Sequence, residues 1–65
     1  MEEIKDLNTI LSEKWIVQEN MERYGGSFVK NLGIALVYAD IPNTLKIRET
    51  FSEYWETYLN FEKIN

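Results

Sequence analysis

The sequence predicts an all-α protein, a compact bundle of three to four short helices forming one domain over residues 1–65. Three observations carry that prediction. Apolar residues recur at helical spacing in four segments, and the two-residue alternation that strands need persists nowhere. Glycine, proline and capping residues fall between those segments, leaving tight corners and no linker. Two Trp, four Tyr and three Phe in 65 residues supply the large buried areas that so short a chain needs for a core.

The first helix is predicted over 3–23. Ile4, Leu7, Ile10, Leu11, Trp15, Val17, Met21 and Tyr24 share one broad half of the wheel, with Lys5, Glu13, Glu19 and Arg23 on the other. Ile16 points away from the apolar stripe. Glu2 and Glu3 suit the positive end of the helix dipole and Arg23 the negative end. Gly25-Gly26 is expected to close the helix in the left-handed conformation, with Ser27 as N-cap of the next.

The second helix is predicted over 28–39. Phe28, Val29, Leu32, Ala35, Leu36 and Ala39 form one stripe, and Ile34, Val37 and Tyr38 a second on the opposite side. A helix apolar nearly all round is buried on both sides. It is therefore expected at the centre of the bundle, or at an intermolecular contact. Gly33 weakens it, which implies close approach of a neighbouring helix.

Asp40 is the expected N-cap of a third helix over 42–50, with Pro42 in its first turn. Leu45, Ile47 and Phe51 are its inward candidates, and Lys46 and Arg48 point outward. Ser52 is expected to cap a fourth helix over 53–63, with Glu53 and Glu56 near its N-terminal dipole. Tyr54, Trp55, Tyr58 and Phe61 are expected to close the core over the second helix, and both Trp residues to lie in or near that core.

Composition removes most chemistries. With no Cys and no His there is no disulfide, no thiolate or imidazole metal site and no cysteine or histidine catalysis. The carboxylate groups Glu19/Glu22 and Glu49/Glu53/Glu56 fall on polar faces and are expected to be solvated. No enzyme activity, metal or cofactor is expected. Gly25-Gly26-Ser27 followed by Lys30 has a phosphate-loop flavour but lacks the GxxxxGK[ST] spacing, and caps explain it. The run Ile34 to Ala39 is too short to cross a bilayer, and the acidic start at Glu2-Glu3 is not that of a secretory signal. A cytoplasmic, non-membrane protein is the expectation.

Net charge is −4, distributed as −3 over 1–24, +2 over 25–48 and −3 over 49–65. That balance disfavours nucleic acid as a partner. The contrary reading is a small DNA-binding regulator, in which a helix-turn-helix-like segment over 28–50 presents Lys30, Lys46 and Arg48 to phosphates. The stronger expectation is a protein partner. The second face of helix two, Ile34, Val37 and Tyr38, extended by Ile16 and rimmed by Glu19 and Glu22, reads as a partner surface or a homodimer seam.

Tyr24-Gly25-Gly26-Ser27-Phe28-Val29, then Ala39-Asp40 with Asn43, then Phe51-Ser52-Glu53-Tyr54-Trp55 resembles a group of small uncharacterised helical proteins of phages and mobile elements. The likeness covers roughly 24–58. Those proteins more often carry Pro at the position of Ser52, and either residue suits a helix start. The resemblance implies no activity and lends no catalytic residue. It implies a phage setting, in which small acidic helical proteins act by binding and occluding a host protein.

Overall fold

The computed structural model describes residues 6–61, and among them every regular element is a helix. The first, α1, runs Leu7–Tyr24. Residues 3–5 of the expected helix lie outside the described residues, as do Glu2, Glu3, Glu62 and Lys63. Asp6 sets the start of α1: its Oδ1 accepts from the Thr9 backbone N–H at 2.8 Å. That bond holds the Asp6 carboxyl below the ordinary value of 3.8. A carboxyl depressed in the folded state stabilises fully above its unfolded value and loses that contribution as pH falls through the folded one. The difference in thermal midpoint between the native chain and Asp6→Ala is therefore expected to narrow between pH 7 and about pH 2.5. A difference that stays constant would remove the cap from the account.

Two glycines end α1, by a route other than the expected one. Neither has positive φ. Gly25 is extended, at φ −80° and ψ 156°, and its N–H donates to the Met21 carbonyl. What it supplies is space: a Cβ there would stand 2.6 Å from the Met21 oxygen and 2.6 Å from Val29 Cγ1. Gly26, not Ser27, is the N-cap of α2, which spans Ser27–Tyr38. Ser27 is already inside the helix and makes no side-chain cap.

Asp40 does cap α3, Ile41–Thr50, accepting from the backbone N–H and the side-chain amide of Asn43. Phe51 forms the corner to α4, Ser52–Leu59. Phe51 rather than Ser52 occupies the N-cap position there, and no side chain caps that end. Glu53 lies in the first turn, where the dipole favours it.

The centre of the bundle is α1, not α2. Both α2 and α4 pack on α1, and α3 bridges α2 and α4. Ile10, Val17, Met21, Val29, Leu36 and Trp55 form the core, with Leu32, Ile47, Tyr58 and Leu59 packed against it. The aromatic stripe of α4 therefore closes over α1. The close approach implied by Gly33 is present: its would-be Cβ meets Met21 Cβ at 2.8 Å and the Gln18 carbonyl at 3.1 Å.

Three buried polar residues fasten the helices together. Lys14 of α1 donates through Nζ to the Ala39 carbonyl at 2.8 Å, and Thr44 Oγ1 reaches the same oxygen at 3.4 Å. The end of α2, the start of α3 and the middle of α1 thus share one acceptor. Asn20 of α1, 2% exposed, donates to the Tyr58 carbonyl at 2.7 Å. Trp55 Nε1–H, in addition, donates to Glu13 Oε1 at 3.0 Å. A buried amide without such a partner would cost about 1–3 kcal/mol and a buried ammonium more, so these groups fix where each helix sits.

Three expectations for side-chain direction are overturned. Trp15 is 54% exposed, because α1 turns its Ile10–Val17–Met21 edge inward and leaves Trp15 at the margin. Arg48 is half-buried instead of outward, its guanidinium 6.0 Å from the centre of the Trp55 ring and its Nε out of contact with solvent. Leu45 is exposed, while Thr44 beside it is fully buried at the Ala39 carbonyl.

Candidate interaction surface

The face of α2 opposite Gly33 is open to solvent. Gly33, Val29 and Leu36 turn inward. Lys30, Ile34 and Tyr38 turn outward, and so do Ser27, Asn31 and Ala35. Tyr38 is 84% exposed and Ile34 38%. Val37 is half-buried on the flank that slopes toward α1. The expected second apolar face thus exists, with Ile34 and Tyr38 uncovered and Val37 at its edge.

Trp15 borders this face. It shares one side of α1 with Gln18 and Glu22, three and seven residues on. That is the side that meets α2, since Gly33 lies against the Gln18 carbonyl and the Glu22 stem. Lys14 Nζ sits 5.4 Å from the Trp15 ring centre while bonded to Ala39, so Trp15 lies near the C-terminal end of α2. On the other flank, Ala35, Tyr38, Ala39, Asn43, Lys46 and Ile47 line a shallow groove between α2 and α3.

The remaining partner-surface residues divide. Glu19 and Glu22 line a depression on α1 together with Gln18 and Arg23. Arg23 pairs with Glu19 at 3.1 Å, both side chains well exposed, which is a weak interaction in water. Ile16 is exposed, but one turn before Asn20, whose amide bonds α4. It therefore stands on the α4 flank of α1, apart from Ile34 and Tyr38.

The three basic residues of the nucleic-acid reading do not form one face. Lys30 is on the outer side of α2, and Lys46 lines the α2–α3 groove. Arg48 lines a different groove between α3 and α4, with Leu45, Glu49, Ser52, Trp55 and Glu56. Two carboxylates beside that guanidinium make the groove unattractive to a phosphate. No group of three or more acidic, His or Cys side chains that could hold a metal occurs among the described residues. No described helix is long and apolar enough to cross a membrane.

A second exposed cluster is formed by residues far apart in the sequence. Phe28, Phe51 and Tyr54 come within 6.1 Å of one another, centre to centre, where the start of α2 meets the α3–α4 corner. Phe28 and Tyr54 keep much of their surface in water. No local pattern brings residues 28, 51 and 54 together, so only the tertiary fold reveals them. Comparison with known proteins returns no matching family model, no curated relative and no matching solved structure.

Proposed function

We propose that this chain is a small non-enzymatic interaction protein that binds another protein through the outer face of α2 and blocks it sterically. The observation that carries the reading is Tyr38, an aromatic side chain 84% exposed one helical turn after exposed Ile34, with exposed Trp15 near the same end of α2. Tyrosine and tryptophan are the side chains that most often dominate binding energy at protein interfaces. A contiguous exposed apolar patch on a small domain marks such a contact more often than a chance feature. Glu19 and Glu22 supply an acidic rim that favours a partner with basic residues around an apolar pocket. The resemblance to small proteins of phages and mobile elements adds that the target is a host protein.

The test is capture of a host protein on the immobilised chain, native against Tyr38→Ser and Ile34→Ser. Both positions are exposed, so each variant is expected to keep its helical circular dichroism and its stability within about 0.5 kcal/mol. Capture is expected to fall at least about tenfold for Tyr38→Ser, as for a truncated hot spot. Phe28→Ser, on the other aromatic cluster, is expected to leave it unchanged. Unchanged capture by Tyr38→Ser would remove the α2 face from the proposal.

A further inference from the structure

We propose that the groove between α3 and α4 binds a free basic amino acid, lysine or arginine, with Arg48 holding its α-carboxylate and Glu49 and Glu56 its two cations. The groove lies apart from the outer face of α2, and this inference stands independently of the docking reading.

Arg48 is a guanidinium held in place with no acceptor to bond. The Trp55 ring centre lies 6.0 Å from it, and that ring is itself tied to Glu13. The Arg48 Nε is shut off from solvent and has no hydrogen-bond partner. Its two Nη groups have none among the described residues either, and remain open to the groove. A charged group taken partly out of water is costly unless an acceptor meets it. The chain offers none. Glu49 follows Arg48 directly, and adjacent residues of a helix point in different directions. Glu56 stands across the groove on α4. Neither carboxylate makes an ion pair or hydrogen bond among the described residues.

The order of the groups selects the ligand. Counted outward from the Phe51 corner, Glu49 and Ser52 come first, then Arg48 with Trp55, then Leu45 and Glu56. The groove thus presents a carboxylate, a guanidinium and a second carboxylate in line. A phosphate meets two repulsions for one attraction, and a simple diamine leaves the guanidinium unmet. A basic amino acid carries the complementary set of α-ammonium, α-carboxylate and side-chain cation. Its carboxylate takes the two Nη groups as a fork, the geometry in which arginine binds carboxylates best. Its α-ammonium turns to Glu49 and the Ser52 hydroxyl at the corner. Its aliphatic stem lies along Leu45, 38% exposed and outside the core, and its far cation reaches Glu56. The volume is about 460 Å³, within the roughly 300–1,000 Å³ of small-molecule sites. Each charge contact stays partly in water, so the dissociation constant is on the order of 1 mM.

The test is a nuclear magnetic resonance titration of the full chain with L-lysine to about 20 mM at constant ionic strength. Saturable shifts are expected at residues 45–56 and at the Trp55 indole N–H. Norleucine, which lacks the side-chain cation, is expected to bind roughly threefold more weakly. Cadaverine, which lacks the carboxylate, is expected to bind at least about tenfold more weakly. Glu56→Gln changes an exposed side chain and keeps the fold. It is expected to bring lysine down to the level of norleucine and to leave norleucine unchanged. Arg48→Gln is expected to abolish the binding of both. The absence of saturable shifts with lysine overturns the proposal. So does cadaverine binding as well as lysine, and so does a Glu56→Gln chain that binds lysine as the native one does.

Discussion

Trp55→Ala is expected to abolish the cooperative thermal transition of this protein. Trp55 is the largest fully buried side chain, 1% exposed, and the only core residue that α4 contributes. Truncating a buried Trp to Ala costs about 3–5 kcal/mol, from lost transfer energy and the cavity left behind. A domain of this size rarely holds more than about 3–5 kcal/mol in total. The loss is compounded because the same side chain supplies the N–H bonded to Glu13 and the ring beneath Arg48. Trp55→Phe separates the parts. It keeps most of the ring and removes the donor, so it is expected to cost about 1–2 kcal/mol and leave a folded chain. Thermal melts followed by circular dichroism decide both. A cooperative melt for Trp55→Ala within a few degrees of the native midpoint would mean that α4 is dispensable for the core.

The second large effect is at Gly33. Replacing glycine by alanine inside a helix usually stabilises, by about 1 kcal/mol of intrinsic preference. Here the sign is expected to reverse. The added Cβ would meet Met21 Cβ at 2.8 Å and the Gln18 carbonyl oxygen at 3.1 Å. Neither is the free end of a flexible chain, so α1 and α2 must move apart. Overpacking of this kind costs about 1–3 kcal/mol, and contacts this short belong to the upper part of that range, about 2–3, so the net for Gly33→Ala is a loss of about 1–2 kcal/mol. The thermal midpoint is expected to fall by roughly 4–15 °C, given about 4–8 °C per kcal/mol in so small a domain. Gly26→Ala is the contrast. Nothing lies within 4 Å of its would-be Cβ, and its φ of −73° suits any residue. That variant is expected to stay within about 0.5 kcal/mol, the smaller unfolded-state entropy offsetting a poorer N-cap. A Gly33→Ala chain that melts higher than the native one would contradict the close approach of the two helices.

The same two residues show how far the sequence could be read. Gly33 inside an otherwise apolar helix had a legible meaning, because a glycine that weakens a helix implies a backbone packed on it. Trp55 was legible as core from the stripe on its helix. Lys14 was not, although its position four residues after Ile10 and three before Val17 put it in the middle of the buried edge. Its charge suggests solvent. Burial is possible because the Ala39 carbonyl receives the ammonium, and that acceptor comes from 25 residues away. Arg48 reads as outward for the same reason, and turns in because Trp55 offers it a ring face.

The sequence alone determined what depends on neighbours a few residues apart: three to four helical segments, the Asp40 cap, the break at Gly25-Gly26, and an α2 with an apolar second face, whereas the structure shows that Phe51 parts α3 from α4. Those features follow from backbone hydrogen bonding and helical period, both local. The tertiary structure decided which helix is central, that Trp15 stays in water, that Ile16 and Ile34 occupy different flanks, and that Lys30, Ile34 and Tyr38 remain uncovered. Each depends on where α3 and α4 come to rest on α1. That placement is set by long-range bonds such as Asn20 to Tyr58 and Trp55 to Glu13, which no local spacing encodes.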